Sequence, residues 1–169
     1  MIPLTEKLLS SVSLGPERLA LVDGERRWTY GELSTSVGRV ASLLQREKLL
    51  PGERVALALE NSMEYVAAYY GILAAGGVVV ALNIEAKERE LSHWLRHCEA
   101  RWVIADWSRT AVQSALAATP EVRRLLVRPA AGADGLAWDQ LSAFTDTEWS
   151  PAPRAGSDYA AIIYTSGTT

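Results

Sequence analysis

Five residues, Thr165-Ser-Gly-Thr-Thr169, set four hydroxyls and one glycine directly behind an apolar run, Tyr159 to Tyr164. Glycine lets backbone N–H groups approach a ligand closely, and hydroxyls add further donors, so a loop of this kind suits phosphate oxygens. A polar surface turn has similar composition. The preceding run is too apolar for a tail, however, and reads as a buried strand that delivers the loop to a strand end. The pattern is not a Walker loop, since no G-x-x-x-x-G-K is present. Neither a Gly-x-Ser-x-Gly elbow nor a G-x-G-x-x-G loop occurs, which leaves hydrolase and dinucleotide-binding readings unsupported.

A second group with possible chemistry is His93, His97 and Cys98. Two histidines four apart share a helical face and could hold one metal. Yet the helical phase that buries Leu91, Trp94, Leu95 and Cys98 turns both imidazoles toward solvent, and Trp94 stands where a zincin helix carries glutamate. No metal site and no catalytic residue is assigned. Cys98, the sole cysteine, reads as a small core residue and excludes an internal disulfide, which fits a reducing, cytoplasmic setting.

The loop needs elements to position it, and the periodicity supplies them. Leu19 to Val22 and Arg26 to Thr29 predict a hairpin turning at Asp23-Gly24. Thr29 and Glu32 have capping-box spacing ahead of a helix with Leu33, Val37, Val40, Ala41 and Leu44 on one face, ending before Pro51-Gly52. Arg54 to Leu59 predicts a strand, and Asn61 to Glu64 starts a helix running through Tyr65, Ala68, Tyr69 and Leu73 toward Gly76-Gly77. Val78 to Leu82 is the next strand, then a helix led by Glu85 to Glu90, then a strand over Arg101 to Ala105. Asp106 is expected to cap a helix carrying Val112, Ala115 and Leu116, and Arg124 to Val127 is a further strand. After that the alternation breaks. Pro129 to Gly135 is turn-rich, Trp138, Leu141 and Phe144 suit one short helix, and Ser150 to Ser157 is an extended connector.

Helices alternating with strands through short connections predict an α/β fold: a largely parallel sheet of repeated βαβ units with flanking helices. Ligands of such sheets sit beyond the carboxyl ends of the strands, where the Thr/Ser/Gly loop also falls. With 169 residues and 49% hydrophobic content, the chain is read as a single partial domain over 1–169, with a connector at about 128–157 before the terminal strand and loop. A net charge of −3 with dispersed lysines and arginines gives no footprint for nucleic acid. The uncharged stretch Tyr65 to Ile84 is long enough to span a bilayer, but Gly76-Gly77 divides it into a helix-like half and a β-branched half, so no membrane span is expected. Six scattered tryptophans are assigned to the core and its edge.

Four segments in this order resemble one family. Trp28-Thr-Tyr-Gly-Glu-Leu33 is similar to an early Leu-Thr-Tyr-x-Glu-Leu element, and Gly52 to Ser62 resembles the first long strand and its turn. Gly71 to Asn83 resembles a glycine-paired helix-to-strand element, and Tyr164-Thr-Ser-Gly-Thr-Thr169 the opening of a phosphate loop. The chain is identified as the N-terminal portion of an adenylate-forming enzyme, the group of acyl-CoA synthetases, luciferases and peptide-synthetase adenylation domains. Two departures are Ala81 and Ile84, where many acyl-CoA synthetases carry proline.

The resemblance implies a two-step reaction. A carboxylic acid substrate attacks the α-phosphate of ATP to give an acyl-adenylate and pyrophosphate, and a thiol, usually that of coenzyme A, then takes the acyl group. Thr165, Ser166, Gly167, Thr168 and Thr169 become contacts to the β- and γ-phosphates, with Mg2+ sharing the charge. The family's loop continues with Gly-x-Pro-Lys-Gly, and its adenine, acyl and C-terminal segments lie later still. The expectation is therefore a fragment of a carboxylate-CoA ligase, inactive alone, with uncovered apolar surface that favours self-association. Alternatives are a fragment of an amino-acid adenylation domain, against which Leu82-Asn83 weighs modestly, a natural split subunit completed by a second chain, and a self-sufficient phosphate binder.

Overall fold

The structure, a computed structural model, describes residues 3–128, 135–144 and 147–164. Helix α1 (Leu4–Leu14) leads into strands β1 (Leu19–Asp23) and β2 (Arg26–Thr29), an antiparallel pair. Asp23 pairs with Arg26, so the two-residue loop is Gly24-Glu25, one position beyond the predicted turn. Gly24 takes the positive φ of +60° that a tight hairpin needs, which glycine adopts without a Cβ clash.

Thr29 then caps α2 (Tyr30–Arg46) as its spacing predicts. The Glu32 N–H donates to Thr29 Oγ1 at 3.2 Å, and the Thr29 N–H donates to Glu32 Oε2 at 2.7 Å. Leu33, Val37, Val40, Ala41 and Leu44 are buried along one face. Strand β3 (Arg54–Ala58) follows, and Ser62 caps α3 (Met63–Ala74) through the Tyr65 N–H. Helices α2 and α3 cross at Gly71, where a Cβ would meet the Val40 side chain at 2.5 Å; only glycine permits this approach. Glu64, buried in the first turn of α3, is held by Arg26 from the hairpin, an ion pair that no local pattern announces.

Strand β4 (Val78–Ala81), α4 (Glu88–His97), β5 (Trp102–Asp106), α5 (Thr110–Ala117) and β6 (Arg123–Arg128) complete the regular alternation. Strand β7 (Leu136–Ala137), a 3-10 turn at Trp138–Ala143 and β8 (Ala161–Ile163) come after it. Six strands form one sheet in the order β7-β6-β5-β3-β4-β8, every neighbouring pair parallel. The chain steps from β3 to β4 in one direction, then crosses back over β3 to β5. Crossovers of one hand that run in opposite directions put their helices on opposite faces. Accordingly α1, α2 and α3 cover the face carrying Val55, Leu57, Val79 and Ile104, while α4 and α5 cover the face carrying Ala56, Ala58, Val80 and Val103.

One further expectation changes. Asp106 does not cap α5, whose first residue follows Arg109; it ends β5, buried, and its carboxylate accepts from the Ser108 N–H at 2.9 Å and the Ser108 hydroxyl at 2.6 Å. The connector, though without helix or strand over 147–160, is docked. The Trp149 indole N–H donates to the Ser34 carbonyl at 3.1 Å, and the Ala152 N–H donates to the Ala74 carbonyl at 2.9 Å. The stretch Tyr65 to Ile84 is most of α3, the glycine pair and β4, and among the described residues no helix is long and apolar enough to cross a membrane. Of the tryptophans, Trp102 is buried and the other five are half-buried at the core edge.

Candidate functional site

All six parallel strands point their carboxyl ends to one edge, and this edge carries the chemistry-bearing residues. Thr165 to Thr169 lie outside the described residues; Tyr164, which precedes them, ends the described chain just past β8. Parallel pairing of Val79 with Ala161 and Ala81 with Ile163 sets β8 against β4, so the chain leaves the sheet level with Leu82 and Asn83.

Across this edge Arg109, after β5, bridges two carboxylates from other strand ends. Its guanidinium donates to Glu60, which follows β3, and lies 3.0 Å from Glu85 in the loop after β4. Hydrogen bonding to Glu60, then the charge of Glu85, holds the guanidinium above its ordinary value. Asn83 Oδ1 accepts from the Glu85 N–H at 3.0 Å and shapes that loop. Glu60, Glu85 and Arg109 are separated by tens of residues, so only the sheet order assembles them. Sequence spacing carried no signal of the triad beyond the expectation that strand ends gather ligand-facing residues.

Tyr164 is the most constrained residue beside the loop. Its ring stacks on Trp94 with centroids 5.2 Å apart and 20° between planes, and meets the His97 ring edge-on at 5.8 Å. Its hydroxyl lies 2.8 Å from His97 Nδ1 and 3.3 Å from the Trp94 carbonyl. Burial, followed by the nearby Cys98 thiol, pushes the Tyr164 phenol up to about 12. His93 and His97 are both exposed on α4, with ring centroids 5.7 Å apart, and His97 additionally reaches back to Tyr164. Cys98 is buried, and desolvation raises its thiol. A concavity of about 630 Å3 opens on the outer face of α4, lined by Arg89, His93, Arg96 and His97 among others.

Among the described residues no group of three or more histidine, cysteine, aspartate or glutamate side chains could hold an ion. At the strand-end edge, Glu60 and Glu85 are engaged by Arg109, and Asp106 by Ser108. These residues do not form a Mg2+ site of their own, so no step is assigned to that ion.

A parallel sheet with helices on both faces defines an α/β protein of the doubly covered type. A family model described as AMP-binding enzyme matches residues 10–169, and the chain belongs to that family. It is 34% identical over 154 residues to 3-hydroxybenzoate–CoA ligase of Aromatoleum sp. (strain CIB), covering 89% of this chain and 29% of that protein. The crystal structure of ATP-bound MatB from Rhodopseudomonas palustris superposes with a TM-score of 0.80 at 28% identity, over 98% of this chain and 32% of that one. The anthranilate CoA ligase AuaEII in complex with anthranoyl-AMP shares the fold, with a TM-score of 0.88 at 23% identity over 98% of this chain and 32% of that one. The chain thus spans about a third of the length of each of these three proteins.

Proposed function

We propose that residues 1–169 form the leading part of the nucleotide site of an AMP-forming carboxylate-CoA ligase. ATP and a carboxylic acid give an acyl-adenylate and pyrophosphate, and the coenzyme A thiol then accepts the acyl group. In this reading Thr165, Ser166, Thr168 and the Gly167 N–H, with Thr169, hold the β- and γ-phosphates. Donors fixed in place ahead of reaction favour the charge that develops on the leaving pyrophosphate. The carrying observation is the parallel register of β8 with β4, which ends the described chain with Tyr164 just past the carboxyl end of β8, immediately before Thr165 in sequence. The family match through Thr169 and the CoA-ligase names of relatives support it.

The 169 residues by themselves act as one partial domain, with the connector at about 128–157, and do not turn over; the reaction takes place in the cytoplasm. Ile163 and Tyr159, 70% and 80% exposed on and beside β8, offer apolar surface for self-association or for a complementing chain. The test is calorimetric titration of the chain with MgATP and with pyrophosphate, beside an ATP–pyrophosphate exchange assay with benzoate-class acids. Weak binding, with Kd on the order of millimolar, that is lost in Thr165→Ala/Thr168→Ala, and no exchange, is the expected result. Absence of binding at about ten times that concentration overturns the phosphate reading, and exchange by the chain alone overturns the partial-site reading.

A further inference from the structure

We propose that His97 and Trp94 of α4 are positioning residues for the phosphate loop, acting through Tyr164, whose ring and hydroxyl they clamp at the point where the chain leaves the sheet. The inference rests on the reading of Thr165 to Thr169 as phosphate contacts, and concerns what aims them.

Strand β8 is three residues long and, among the described residues, pairs with β4 alone. A strand so short, open along one edge, has few ladder bonds to define its direction. Its face toward α2 and α3 contributes little at this end, since Ile163 is 70% exposed. Ile162 and Tyr164 pack on the opposite face, against the cluster under α4 and α5. The direction of the chain at residue 164 therefore depends on what holds Tyr164. Stacking on Trp94 fixes the ring plane, and two polar contacts from one helix fix its rotation within that plane. Edge packing by a generic apolar side chain would supply the burial but not the rotation. A phosphate-holding loop gains from such a fixed start, because small displacements of positioned donors cost large factors in rate.

Both hydrogen-bond assignments are compatible with the geometry. Tyr164 can donate to His97 Nδ1, or accept from Nδ1–H while donating to the Trp94 carbonyl. Either way His97→Ala removes one partner and Tyr164→Phe removes both contacts while keeping the stack. His97→Asn restores a side-chain nitrogen close to the place of Nδ1.

The experiment measures amide exchange by NMR on the 169-residue chain in these three variants. His97→Ala and Tyr164→Phe are expected to speed exchange at Thr165 and Ser166 about 2- to 10-fold, the factor for one lost hydrogen bond, with Ile162 and Leu91 unchanged. His97→Asn should return it toward wild type. Unchanged exchange at Thr165 and Ser166 overturns the proposal. An equal rise at Leu91 and Ile162 overturns it too, since the residues would then be merely structural. In parallel, pyrophosphate affinity is titrated. No binding by the wild-type chain removes the functional reading while the exchange data still decide the clamp. Binding that is the same in wild type and His97→Ala, with exchange altered, overturns the claim that the clamp serves phosphate contacts.

Discussion

Strand β8 has two faces, and consecutive residues on it meet different fates. Ile162 packs into the cluster beneath α4 and α5, whereas Ile163, one residue on, is 70% exposed. On β3, in the middle of the sheet, Val55, Ala56, Leu57 and Ala58 are all buried, whichever face they take. The contrast follows from connectivity. Helix α3 is the crossover between β3 and β4 and so covers those two strands. Strand β8 arrives through 147–160, which holds neither helix nor strand; Ala161 still packs against the cluster under α2 and α3, while Ile163 at the strand's end is exposed. Burial is thus even along the central strand β3 and falls away at the end of β8.

The contrast can be broken most severely in the covered layer. Leu57→Ala should cost about 2–5 kcal/mol in urea unfolding, since the side chain is fully enclosed, while Ile163→Ala should stay within about 0.5 kcal/mol. Comparable losses at the two sites would refute the bare-face description. Next in size, Gly71→Ala should lose about 1–3 kcal/mol because its new methyl group would press on Val40 where α2 crosses α3. Circular dichroism melts would register it, and a neutral outcome would show that the helices can part.

On the bare side, Ile163→Ser should lower any concentration-dependent association seen by sedimentation without shifting the unfolding midpoint beyond about 0.5 kcal/mol. Unaltered association would locate the contact elsewhere. The smallest effect is at Glu53. Burial raises this carboxyl, but the Leu50 N–H at 2.8 Å and Arg101 at 2.7 Å outweigh it and leave the group below its ordinary value. A depressed carboxyl stabilises the fold above its unfolded pKa, and the contribution is lost as pH falls through the folded value. Glu53→Gln should therefore flatten the acid limb of the stability profile, and an identical acid limb would show that the ion pair is inert.

The helices and strands were legible where one period ran undisturbed. The capping box of Thr29 and Glu32, the buried stripe of α2, and the β-branched run of β4 all appear as expected, because each depends on residues within a few positions of one another. Asp106 was misread for a related reason. An aspartate before a helix suits a cap, but α5 begins only after Arg109, and the Asp106 carboxylate instead closes a local turn onto Ser108 two residues on. His97 was expected to face solvent, and it does, but helical phase cannot report a tyrosine reaching it from 67 residues away. Thr165 to Thr169, singled out by composition and by their place after an apolar strand, lie outside the described residues.

By itself the chain's order of residues determined the element types, the parallel class of the sheet and the family. Those follow from short-range periodicity and from side-chain chemistry, which are written along the chain. Tertiary structure decided which strand ends meet. It placed Arg109 between Glu60 and Glu85, tied Trp149 to Ser34 across 115 residues, set Tyr164 on Trp94 and His97, and left Ile163 uncovered. Such contacts depend on the strand order and on where each crossover runs, and neither is encoded in any local window.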